Sequence, residues 1–137
     1  MIQYLQVNRS FKEESLLKER SSDREFNLEA RTFEFAKLVR ELVKRIEKNI
    51  QNNEDIKQLI RSSGSVGANY IEANDALGKK DFFLKIKTCR REAKESRFWL
   101  NLLDVNNSEL DAMRNDLIQE ASELVRIFSA IAKKQID

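Results

Sequence analysis

Ile60-Arg-Ser-Ser-Gly-Ser-Val-Gly-Ala-Asn-Tyr-Ile-Glu-Ala-Asn74 is the stretch on which the fold turns. It holds two glycines and three serines, residue types that lower helix propensity. The apolar periodicity nevertheless runs straight through it. Ile56, Leu59, Ile60, Ser63, Val66, Gly67, Tyr70, Ile71 and Leu77 fall on one face at about 100° per residue. Ser63 and Gly67 on that face are very small, so the helix is expected to meet another backbone closely there. Each glycine costs about 1 kcal/mol against alanine in a helix, and tight packing must offset it. The spacing predicts a helix from about Asn53 to Leu77, stopped by Gly78.

The segments on either side carry the same period. Leu28, Phe35, Val39, Leu42, Val43, Ile46 and Ile50 form one stripe, predicting a helix from Leu28 to Ile50 with Asn27 as N-cap. Phe82, Ile86, Cys89, Ala93, Ser96, Leu100 and Leu103 alternate steps of four and three, predicting a helix over 81–104 with a bundle-type seam. Leu110, Met113, Leu117, Ala121, Leu124, Phe128 and Ile131 predict a fourth helix over 109–134. Ser108 with Asp111 resembles a capping box at its start. Short connections between long helices predict an all-α, antiparallel up-down-up-down four-helix bundle over residues 27–137. Residues 1–26 are polar and weakly patterned, and read as a partly mobile extension.

Composition bounds the chemistry. The chain has 137 residues, enough for one domain, and no proline to break its helices. It has no histidine, which removes the commonest general base, the usual metal ligand and every Ser-His or Cys-His pair. Cys89 is the single cysteine, so no internal disulfide forms, and a reducing, cytoplasmic setting is expected. On its bundle seam Cys89 reads as a small buried hydrophobe. No apolar run is long enough to span a membrane, and Met1 to Val7 lacks the basic and apolar regions of a signal peptide. No cofactor or metal site is read.

The formal net charge is only +2, but it is unevenly spread. Residues 78–104 carry eight Lys/Arg against four Asp/Glu. Lys80, Lys87, Arg90, Arg91, Lys94 and Arg97 share one side of the third helix, away from the seam. Such a run is commonly a solvated face, here with Glu92 and Glu95 in neighbouring arcs. It also suits a surface that tracks phosphates. Phe83 and Phe98 lie on or beside the same side, and Phe33 is off the stripe of the first helix. Aromatics so placed predict a partner surface, a homo-oligomer contact before base stacking. Trp99, at the edge of the seam, is expected to pack.

Arg61, Asn69, Glu72 and Asn74 could line a binding site, but the small residues between them favour tight helix packing. Arg61 and Glu72 lie on one side of their helix and are expected at a contact between subunits. Gly64-Ser-Val-Gly67 matches the G-x-x-G pattern of a nucleic-acid-binding loop, which needs flanking strands that this sequence does not provide.

Gln58–Asn74, Asn27–Ala36, Lys79–Phe83 and Lys94–Leu103 together resemble the bacterial four-helix-bundle protein family, also known from the intervening sequences of large-subunit ribosomal RNA genes. The resemblance covers roughly residues 26–134. It implies a bundle assembling into a ring, pentameric in known relatives, and no established enzyme activity. A distant relative, the accessory protein of diversity-generating retroelements, is a pentameric bundle that binds RNA and a reverse transcriptase. The expectation is a non-enzymatic oligomer, with structured RNA or DNA as the favoured ligand of the basic stripe. The alternative is a scaffold ring that organises another protein. An enzyme would need a carboxylate such as Glu72 in a deep pocket.

Overall fold

The structure is a computed structural model that describes residues 21–136, with side chains from Asn27 onward. The expected N-terminal extension lies outside the described residues as far as residue 20. Four helices follow in order: α1 (Ser21–Arg45), α2 (Ile50–Asn74), α3 (Lys79–Leu102) and α4 (Ser108–Ala132). The described residues contain no strand. At about 1.5 Å per residue each helix is roughly 37 Å long. None of them is long and apolar enough to cross a membrane.

The helices close a cycle, α1 on α2, α2 on α3, α3 on α4 and α4 on α1, and the diagonal pairs stay apart. Phe35, Val39, Leu42, Leu59, Val66, Ile86, Leu100, Leu124 and Phe128 fill the centre. Each such side chain contributes about 1.5–3 kcal/mol by leaving water. Tyr70 packs on Phe128 with ring centres 5.8 Å apart. The stripes expected for α3 and α4 face this core, apart from the half-buried Phe82 and Ile131 at their ends.

The first turn differs from expectation. α1 begins at Ser21, so Asn27 lies within it rather than capping it, and α1 stops at Arg45 rather than Ile50. Lys48 Nζ donates to the carbonyls of Val43 and Ile46, both at 2.9 Å, and so ties down the carbonyls at the helix end. Asn49 then caps α2, its side chain accepting from the Asn52 amide at 2.8 Å. Ile50 is therefore the first residue of α2 and points to solvent, off the core stripe.

Gly78 also differs. α2 ends at Asn74 with Asp75 as its C-cap, and Gly78 is the extended N-cap of α3. No glycine has a positive φ. Leu77 sits in the linking turn, fully exposed, not on the core face. Ile71 is likewise exposed, one position beyond the buried Tyr70. At α4 the cap is Asn107, not Ser108, and its side chain accepts from the amides of Glu109 and Leu110.

The small residues of α2 serve two contacts. Gly67 faces α1, where an added Cβ would come within 3.0 Å of Thr32 Oγ1. Ser62 faces α3, where Ser96 Oγ donates to its hydroxyl at 2.9 Å. Asn52 joins the two turns at one end of the bundle. Its amide donates to Glu47 O and Asp104 O, and its oxygen accepts from Asp104 N, all at 3.0 Å. Farther along the same pair of helices Arg61 meets Glu95, and Glu72 meets Lys85. Residue numbers rise along α2 as they fall along α3.

Candidate functional site

α3 owes its two faces to its seven-residue repeat. Ile86, Cys89, Ala93, Ser96 and Leu100 are buried, which turns Lys80, Lys87, Arg91 and Lys94 outward into solvent. Leu84, Lys87, Thr88, Arg90, Arg91 and Lys94 line a shallow open depression of about 330 Å³ on this face. The predicted stripe is therefore split. Lys87, Arg90, Arg91 and Lys94 come together, and Lys80 extends the row toward the start of the helix. Arg97 is half-buried and donates to Ser122 Oγ of α4 at 3.2 Å.

The cations of this face have few acidic neighbours. Among the described residues no carboxylate lies within 4 Å of Lys80, Lys87, Arg90, Lys94 or Arg97. Lys87 donates instead to Gln135 Oε1 at 2.8 Å. Arg91 has one distant acid, Glu92, at 3.9 Å. The acids expected to neutralise the stripe are drawn aside by Arg61 of α2, which meets Glu95 at 2.7 Å and the buried Glu92 at 3.3 Å.

Arg61 and Glu72, expected at a subunit contact, thus have partners within their own chain. Glu72 holds Lys85 at 2.8 Å, and its hydrogen bond and charge raise the Lys85 pKa. Glu72 lies on the surface rather than in a deep pocket. Cys89 is wholly buried, and burial pushes its thiol up to about 12.

The three off-stripe phenylalanines have different surroundings. Phe33 is 66% exposed and opens on a groove of about 460 Å³ between α1 and α2. Thr32, Ala36, Gly64, Gly67 and Ile71 line that groove, and Lys37 and Arg40 stand in its wall. Phe83 is half-buried, packed edge to face on Phe82 with ring centres 5.1 Å apart. Phe98 is 56% exposed on the outward side of α3, its ring 5.0 Å from that of Trp99 at a 79° angle. Trp99 packs against the core.

Sequence reading missed one buried cluster. Arg31 of α1 donates to both carboxylate oxygens of Glu120, at 2.7 and 3.0 Å, and to Glu123 at 2.7 Å. Burial acts to lower the Arg31 pKa, but the hydrogen bonds and charges of Glu120 and Glu123 hold it above its ordinary value. Glu120 falls next to Ala121 on the core side of α4, and its burial was a readable signal that some cation must face it.

No curated protein matches the chain. A crystal structure at 1.70 Å of a protein with unknown function from the S23 ribosomal protein family of Bacteroides thetaiotaomicron is similar, with a TM-score of 0.66 and 26% identity. The match covers 77% of this chain and 98% of that one. The sequence profile of the 23S rRNA-intervening sequence proteins matches residues 24–130, most of the chain. A match over most of the chain shows that the protein belongs to the 23S rRNA-intervening sequence protein family.

Proposed function

We propose that this protein is a non-enzymatic, antiparallel four-helix bundle that forms a homo-oligomeric ring, as the family resemblance implies, and binds nucleic acid through α3. Structured RNA is the favoured ligand. The observation that carries the reading is the row of Lys80, Lys87, Arg91 and Lys94, exposed on α3 and almost without acidic neighbours among the described residues. Cations that are not neutralised within the protein are available to phosphates, and each phosphate bound releases counterions. Phosphate contacts alone give affinity with little base readout. In a ring the row is repeated in each subunit, so weak sites gain avidity.

Fluorescence anisotropy of labelled structured RNA and duplex DNA, across a salt series, tests the reading. Affinity is expected to fall steeply with salt. The triple substitution Lys87→Glu, Arg91→Glu, Lys94→Glu is expected to abolish binding while circular dichroism stays helical. Retained binding by the folded triple variant rejects α3 as the site.

The α1–α2 groove favours a second reading, a scaffold ring that organises another protein. Its apolar lining and the exposed Phe33 and Ile71 suit a protein contact that salt leaves intact. Phe33→Asp is then expected to abolish a salt-insensitive protein contact while the circular dichroism and sedimentation coefficient of the protein itself are unchanged.

A further inference from the structure

We propose that the α3 face takes an unpaired, single-stranded stretch of a structured RNA, with a base stacked on Phe98 and the adjoining phosphates on Arg91 and Lys94. This rests on the reading of α3 as the nucleic-acid surface and names the form of ligand that surface fits.

The argument begins with the position of the ring. Lys94 precedes Phe98 by four residues and Arg91 by seven, so all three project on the same outward face. Along the axis they stand about 6 Å and about 10 Å before the ring. Phe98 packs on a ring of its own helix. Trp99 meets it at 5.0 Å and 79° and is itself anchored against the core. The ring is thereby braced, and more than half of the residue is still open to water. A fixed aromatic surface beside exposed cations is the pairing that single-strand binders use: cations follow the backbone and an aromatic receives a base.

The same geometry disfavours other ligands. A duplex keeps its bases stacked inside, so it offers phosphates to Arg91 and Lys94 but no base face to Phe98. The major groove of A-form RNA is too narrow for side chains to read, still less for a helix packed in a bundle. A two-fold contact between two α3 faces would set Lys87, Arg91 and Lys94 against their own copies, and like charges at close range repel; a head-to-tail ring contact meets a different face and is separated by the sedimentation measurement below.

The chain contains a single tryptophan, which makes the test direct. Full-length protein is titrated with a short single-stranded oligoadenylate and with an RNA duplex of the same length, following anisotropy and Trp99 emission. The single strand is expected to bind more tightly than the duplex and to change the emission. Phe98→Ala is expected to weaken single-strand binding roughly tenfold or more while leaving the salt slope unchanged. Phe98→Tyr is expected to retain the affinity. Arg91→Glu and Lys94→Glu are expected to lower the salt slope.

Equal binding of duplex and single strand, with Phe98→Ala neutral, overturns the stacking proposal and leaves phosphate binding by α3 standing. Absence of binding by either RNA at low salt overturns both. A change of sedimentation coefficient in Phe98→Ala, with RNA affinity unaltered, assigns the ring to a contact between copies and also overturns it.

Discussion

Gly64 and Gly67 sit three residues apart in α2, and substitution by alanine is expected to move stability in opposite directions. Alanine gains about 1 kcal/mol over glycine in a helix interior. At Gly64 the new Cβ would meet only Arg40 Nη2, at 3.5 Å, the far end of a flexible, exposed side chain. Gly64→Ala therefore keeps most of that gain. At Gly67 the new Cβ would lie 3.0 Å from Thr32 Oγ1 and 3.3 Å from Thr32 Cβ. Thr32 is buried, and its hydroxyl is tied back to Glu29 O at 3.1 Å, so it has no room to withdraw. Overpacking of this kind costs about 1–3 kcal/mol, which exceeds the propensity gain. Gly67→Ala is expected to lose about 1 kcal/mol net, so the two variants differ by about 2 kcal/mol. For a domain of this size that corresponds to roughly 8 °C in Tm. Thermal and urea unfolding measure it, at several protein concentrations because both glycines line the α1–α2 groove. Thr32→Ala in the Gly67→Ala background is expected to restore most of the loss, a coupling of about 1 kcal/mol. Equal stabilisation by both alanines, or an additive cycle, refutes the close approach of α1 to Gly67.

Asn52→Ala removes three side-chain hydrogen bonds, one to Glu47 O and two to the Asp104 backbone, and is expected to cost about 2–4 kcal/mol, read by urea unfolding, with hydrogen exchange speeding up first at Asp104. Glu120→Gln leaves Arg31 with half of its paired charge in a buried place. It is expected to cost about 2 kcal/mol or more in denaturation, whereas the isosteric double change Arg31→Met, Glu120→Met costs less. Cys89 bears on the alkaline limit. Its folded pKa, about 12, lies above the unfolded value near 9, so the contribution is complete below about pH 9 and is lost as pH rises toward 12. Cys89→Ala is expected to flatten that part of the stability profile, and thiol reagents at pH 8 are expected to label wild-type protein only on unfolding.

The four stripes were legible because burial repeats with the helical period, and nothing in the chain competes with it. Ile86 to Leu100 and Leu110 to Phe128 face the core as their spacing demands. The turns were less legible. Ile46 and Ile50 continue a step of four across the true end of α1, so periodicity alone extends the helix. What ends it is Lys48 on two carbonyls and Asn49 on the Asn52 amide, contacts made once the chain has turned. Gly78 misled for a related reason. A glycine after a helix suggests a left-handed stop, but α2 had already ended at Asn74, and Gly78 opens the next helix in extended form. The cations of α3 could be named from spacing. The destination of their acids could not, because Arg61 reaches Glu95 across 34 positions of chain, and no local rule pairs them.

That destination ties the fold to the proposed function. A surface charge attracts a distant anion only if counter-charges within about a Debye length, roughly 8 Å in physiological salt, do not cancel it. α3 carries Glu92 and Glu95 within a turn of Arg91 and Lys94, close enough to cancel much of their field. Arg61 holds both carboxylates on the side facing α2. On α4, Arg31 holds Glu120 and Glu123 toward α1. The more exposed of these pairs, Arg61–Glu95, contributes little stability, about 0–1 kcal/mol. Its larger effect is to sort the charge. A chain of net +2 shows acids and bases joined where its helices meet, and bases with few acids along the outer side of α3. The same few ion pairs that join the helices along their seams leave the outer side of α3 cationic.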